Sequence, residues 1–176
     1  MALHRTTIQL LKESLPEFLH VAEYCIGFRK PDGGCLGYPG AAVLFSIADS
    51  LGSYHRGRTD FTVPVDGANV SIKSQGYHHL FIFNSRFYGF DLSEAEIKKL
   101  YANYRCLLLH NSALANDHFL FLEKPESPAF VTDRSGIHVN VAGLLRVTKM
   151  AVSAFLNDID RIVQNSKQLE IIGRKR

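Results

Sequence analysis

Arg105 and His110 stand five positions apart in the run Tyr104-Arg105-Cys106-Leu107-Leu108-Leu109-His110-Asn111. A guanidinium can hold a phosphate through two parallel N–H bonds while negative charge builds on it. An imidazole, with its pKa near neutrality, can take a proton from a ribose 2′-hydroxyl and later return one. Together they are the minimum equipment for cutting RNA through a 2′,3′-cyclic phosphate, a reaction that asks for neither metal nor cofactor. Tyr104 and Asn111 border the pair and are read as substrate contacts. On an ideal helix five residues turn a side chain through about 500°, so the two groups leave the axis roughly 140° apart. Arginine is long enough to fold toward a cleft that His110 borders. Plainer uses exist for both residues: Arg105 can pair with a neighbouring helix, and His110 can sit as a favoured cation at a helix C-terminus.

The elements that must position this pair read as helices. Over residues 6–26, Ile8, Leu11, Leu15, Phe18, Leu19, Ala22, Cys25 and Ile26 recur at intervals of three and four, which predicts a helix with one buried face, kinked or broken at Pro16. Glycines and Pro31 make residues 28–38 a loop. Pro39 suits the first turn of a second helix, 39–54, whose few polar residues predict the most buried helix of the bundle. Residues 56–75 fit either a long loop or a short hairpin. The aromatic run 77–88 predicts a short buried helix ended by Gly89.

Ser93-Glu94-Ala95-Glu96 is a capping box, and Leu92 and Ile97 occupy the staple positions around it. The helix it opens carries Leu100, Tyr101, Tyr104, Leu107 and Leu108 to His110 or Ala113. Between residues 119 and 139, short apolar runs separated by Pro125, Pro128 and Gly136 predict a small antiparallel β element. Residues 141–163 then predict one long closing helix with Leu144, Thr148, Val152, Phe155 and Ile159 on its inner face. The expected fold is a single all-α domain over residues 1–176: an up-and-down bundle of about five helices, with a small β-hairpin before the last.

Composition fits a globular core: 176 residues, of which 46% are hydrophobic, with a weakly basic net charge of +3. Charge by itself does not argue for nucleic acid, and the basic end Gly173-Arg174-Lys175-Arg176 reads as a solvated terminus. Three irregularly spaced cysteines, Cys25, Cys35 and Cys106, suit a reducing compartment. With no apolar stretch of spanning length and no signal-like start, the expectation is a cytoplasmic protein without a membrane partner.

Other motifs carry less. His78-His79 lacks a carboxylate or cysteine at ligand spacing, so surface or half-buried histidines are expected there rather than a metal site. Gly33-Gly34-Cys35-Leu36-Gly37 lacks the Gly-Lys-Ser/Thr ending of a phosphate loop and reads as a turn.

The capped helix, the tyrosines Tyr101 and Tyr104, the polar exit His110-Asn111-Ser112 and the long closing helix together resemble the HEPN superfamily (higher eukaryote and prokaryote nucleotide-binding domains). Its defining motif is Arg-x(4–6)-His, here Arg105-Cys106-Leu107-Leu108-Leu109-His110. The resemblance implies an all-α bundle that binds RNA, with Arg105 and His110 as catalytic residues of a metal-independent ribonuclease. It also implies a homodimer that brings two motifs into one cleft, and a toxin or defence role with a possible antitoxin or other partner protein. In active members the residue after the arginine is usually polar. Cys106 stands there instead, which leaves open a second reading: a non-catalytic domain that binds RNA, a nucleotide or a protein.

Overall fold

A computed structural model describes residues 6–31 and 33–166; the start of the chain and the basic run at 173–176 lie outside the described residues. The first helix, α1 (Thr7–Gly27), opens on Thr6, whose hydroxyl accepts from the Gln9 amide, and runs on through Pro16 without a break. It turns Leu11, Leu15, Ala22 and Ile26 into the core and packs along α2 (Gly37–Ser53). The two helices cross closely at Gly40, where a Cβ would lie 3.0 Å from the Ile26 side chain. As its composition predicts, α2 is deeply buried: Ala41, Leu44, Phe45, Ile47, Ala48 and Leu51 are all sealed in the core.

Residues 56–75, left between loop and hairpin by the sequence, contain a hairpin. Strands β1 (Thr62–Val65) and β2 (Ala68–Ser71) pair antiparallel around Asp66-Gly67, both at positive φ (49° and 77°). Two successive left-handed residues make the primed turn whose twist suits adjacent strands. The aromatic run is a 3₁₀ helix (Gly76–Asn84) rather than an α-helix. Its C-terminal Asn84 is buried and ties together the elements around it, donating to the Pro64 and Leu92 carbonyls and accepting from the Leu92 amide.

The capping box forms as read. The Glu96 amide donates to the Ser93 hydroxyl and the Ser93 amide to the Glu96 carboxylate, with Leu92 and Ile97 buried beside them. From this cap the chain follows α3 (Glu94–Leu100), a π turn (Tyr101–Cys106) and α4 (Leu107–Asn111) as one helical rod. Ser112, at φ 52°, ends it in the left-handed conformation.

Two expectations are corrected here. The β element before the last helix is not a lone hairpin but a three-stranded sheet in the order β3-β5-β4, of β3 (Leu120–Phe121), β4 (Phe130–Thr132) and β5 (Ile137–Asn140). Strand β4 pairs antiparallel to β5, but β3 pairs parallel to it, a partner that no alternation within two residues could announce. With the β1-β2 hairpin, the domain is mainly helical and carries two small sheets. The closing helix is also not continuous: α5 (Val141–Asn157) and α6 (Ile159–Gln164) are separated at Asp158, whose carboxylate is held by Arg86 and Arg161.

One glycine sets how closely the 3₁₀ helix approaches α2. A Cβ on Gly52 would lie 2.0 Å from the carbonyl oxygen of His79, a backbone atom that cannot swing aside. Replacing Gly52 with alanine should therefore destabilise the domain by about 3 kcal/mol or more, seen as a drop in thermal midpoint, whereas alanine at Gly27, the unobstructed last residue of α1, should cost no such clash.

Candidate functional site around Arg105

Arg105 lies in the π turn, a widened helical turn of a kind often found at functional sites. Its guanidinium is half-buried and faces α2, where one terminal nitrogen donates to Asp49 Oδ2 at 2.7 Å. Tyr101, one turn earlier, places its ring 5.4 Å beneath the guanidinium carbon, a cation–π contact. Across the carboxylate, His79 Nδ1 from the 3₁₀ helix lies 3.3 Å from Asp49 Oδ1. Three separate elements thus meet on one acid.

The electrostatics follow from that geometry. Burial works to raise the Asp49 carboxyl, but the contacts from His79 and Arg105 outweigh it and hold the group below the ordinary carboxylate range. For Arg105, burial opposes the charge and Asp49 overcomes it, leaving the guanidinium more firmly protonated than usual. Burial also raises the Tyr101 phenol, with the Cys106 thiol beside it adding to the effect. Two polar atoms of the cluster are buried with no hydrogen-bond partner: Arg105 Nε and His79 Nε2.

His110 is exposed in the last turn of the rod, and Asn111 is exposed as its final residue. No hydrogen bond, ion pair or ring contact joins His110 to Arg105 within the chain. Arg105 has the helix-to-helix ion pair that the plainer reading allowed, and His110 has the C-terminal position. Tyr104, read as a substrate contact, is a correction: it is fully buried, stacks on Phe45 (5.9 Å, 14°) and donates to the Ile137 carbonyl at 2.7 Å. With its ring packed and its hydroxyl committed, Tyr104 joins the rod to α2 and β5. Cys106, Cys25 and Cys35 are free thiols.

Asp49 and His79 were not selected from sequence as partners of Arg105. A signal for Asp49 was present, because a lone carboxylate in an otherwise apolar helix demands a buried partner. For His79 none was, since its neighbour His78 looks alike in sequence but instead bonds the Gln75 carbonyl and stacks on Tyr77. Among the described residues no three His, Cys, Asp or Glu side chains gather in a metal-binding group.

A second polar cluster also escaped the sequence reading. Asp133 Oδ1 and Ser135 Oγ both approach Nε2 of the buried His138, at 3.0 and 2.9 Å, and Ser135 donates to Asp133 at 2.6 Å. A nucleophilic relay needs the acid and the hydroxyl on different ring nitrogens. Here both groups close on one nitrogen, so the cluster pins the turn into β5.

No family model, curated protein or solved structure matches this chain. No helix among the described residues is long and apolar enough to cross a membrane.

Substituting Asp49 with asparagine keeps the side-chain shape but removes the charge that Arg105 faces. The expected loss is about 1–3 kcal/mol of stability, tempered by the partial exposure of the pair. Because the folded-state pKa of Asp49 is depressed, its contribution is full above the unfolded carboxylate pKa and disappears as pH falls through the lower folded value. Chemical denaturation across acid pH should therefore show wild type losing its advantage over Asp49→Asn below about pH 4.

Proposed function

We propose that this protein is a HEPN-like RNA-binding domain that cleaves RNA without a metal at the Arg105–His110 edge. The observation that carries the reading is the way Arg105 is held: a cation fixed by Asp49 on one nitrogen, stacked on Tyr101, and with part of its side chain still open to solvent. A guanidinium oriented in this way can meet a phosphate without first losing its rotamer freedom. His110 stands exposed on the same rod and is free to exchange protons with a ribose hydroxyl.

In this reading Arg105 binds the scissile phosphate and steadies the charge that grows on its oxygens. His110 takes the 2′-hydroxyl proton as that oxygen attacks phosphorus, and the leaving 5′-oxygen receives a proton in turn. The products are a 2′,3′-cyclic phosphate and a free 5′-hydroxyl. Asp49 and His79 do not touch RNA; they set where the guanidinium sits. Since Arg105 and His110 make no contact within one chain, a second copy would bring the histidine of one protomer to the arginine of the other. Asn111, exposed beside His110, would contact the strand.

A second reading is favoured by the same ion pair. An arginine already paired with a carboxylate and followed by Cys106 could serve as a structural tie, in a domain that binds RNA, a nucleotide or a partner protein without cutting it. The two part on one experiment. Purified protein is incubated with transfer or messenger RNA in EDTA, and fragment ends are assayed. The enzyme reading expects 2′,3′-cyclic phosphate ends, reduced about 100-fold or more in His110→Ala. Cleavage absent from wild type, or undiminished in the variant, rejects it. A gain of activity in Cys106→Asn, starting from none, establishes the non-catalytic reading.

A further inference from the structure

A separate polar centre lies where the end of α2, the segment after the 3₁₀ helix and α6 come together. It shares no residue with the Arg105 cluster. A cavity of about 310 Å³ opens there between Arg58, Arg86 and Arg161, with His55 and Phe61 on its wall. Pockets for small ligands begin near ~300 Å³, so the space suits a phosphate or pyrophosphate group.

The arginines are built in rather than scattered. Arg58 is almost wholly buried, held by a two-pronged bond to Asp60 (2.8 and 2.6 Å) and a third to the Ile162 carbonyl (3.3 Å). Arg86 and Arg161 converge on a single carboxylate, Asp158, each through one terminal nitrogen. Three guanidiniums thus face two carboxylates, leaving one surplus positive charge at the cavity. Arg86 and Arg161 are both more than half exposed, with their remaining donors open to solvent.

An independent observation points to the same place. His55 lines the cavity, is 1% exposed, and has no hydrogen-bond partner on either ring nitrogen. Its ring is stacked 3.8 Å from Phe61, with Phe87 and Phe155 around it. Burial first, then the charges of Arg58 and Arg86, push its pKa down to about 3, so at neutral pH it is an uncharged imidazole with one N–H to give. Buried polar groups in folded proteins nearly always find a partner, and this one sits at the wall of a cationic cavity.

We infer that this cavity binds the phosphate group of a small phosphorylated ligand, with Arg86 and Arg161 donating through the nitrogens Asp158 leaves free, Arg58 behind them, and the His55 N–H completing the set. Guanidinium forks match the geometry of phosphate oxygens, and the surplus charge balances part of the anion. Free phosphate or pyrophosphate and the phosphate of a nucleotide offer the same chemistry.

The full chain should be titrated calorimetrically with inorganic phosphate, pyrophosphate, AMP, adenosine and acetate at constant ionic strength. The histidine ring signals are followed in parallel by NMR. The inference expects saturable binding of phosphate-bearing ligands, none of adenosine or acetate, and a saturable shift of the His55 ring. In Arg86→Gln/Arg161→Gln, affinity should fall roughly tenfold or more. AMP binding more tightly than phosphate would identify a nucleotide as the source, and equal or weaker binding a free phosphate. Unmoved His55 signals in wild type, undiminished affinity in a folded double variant, or acetate binding as well as phosphate would overturn it.

Discussion

A carboxylate on the most buried helix of the domain has to be compensated, and Asp49 is compensated by Arg105 and His79 together. That requirement connects three elements that are distant in sequence: α2, the 3₁₀ helix and the π turn. An unpaired charge at this position would cost far more than the pair contributes, so the fold is held to the arrangement that supplies both partners. Gly52, a turn further along α2, carries no Cβ to keep the 3₁₀ backbone away. The direction in which Arg105 points is a consequence of this constraint.

Apolar packing supplies the cohesion that makes the constraint effective. Phe45 lies four residues before Asp49 on α2 and stacks on Tyr104, the neighbour of Arg105, while Tyr104 also donates into β5. The aromatic contact and the ion pair join the same two elements one turn apart. Sliding the rod along α2 by a turn would break both at once. In the proposed reaction, Arg105 owes its position to this double attachment, whereas His110, past the end of the attached region, keeps its exposure.

Much of the architecture was legible in the sequence because the relevant signals are local. The capping box at Ser93, the staple of Leu92 and Ile97, the periodic apolar faces of α1 and α5, and the scarcity of polar residues in α2 each rest on residues within a turn or two of one another. What could not be read depends on distant partners. Strand β3 exists because β5 lies beside it, and the break at Asp158 accompanies an arginine from residue 86 and another from residue 161. The candidate site divides in the same way. Arg105 and His110 were found by type and spacing, whereas Asp49 and His79 join Arg105 only through the tertiary fold. Tyr104 shows the opposite error: adjacency to Arg105 suggested a ligand contact, but on a helix the next residue faces elsewhere, and here it faces the core.

In the proposed function, the guanidinium held by Asp49 is a phosphate-binding group and His110 shares its ligand. The most direct measurement of this is NMR of the arginine and histidine side chains during titration with a 2′-deoxy-substituted RNA oligonucleotide, which can bind but cannot be cleaved. The Arg105 guanidinium and His110 ring signals should shift together and saturate at one shared affinity. Oligonucleotide binding that leaves both sets of signals in place, or that moves His110 while Arg105 stays locked to Asp49, would contradict it.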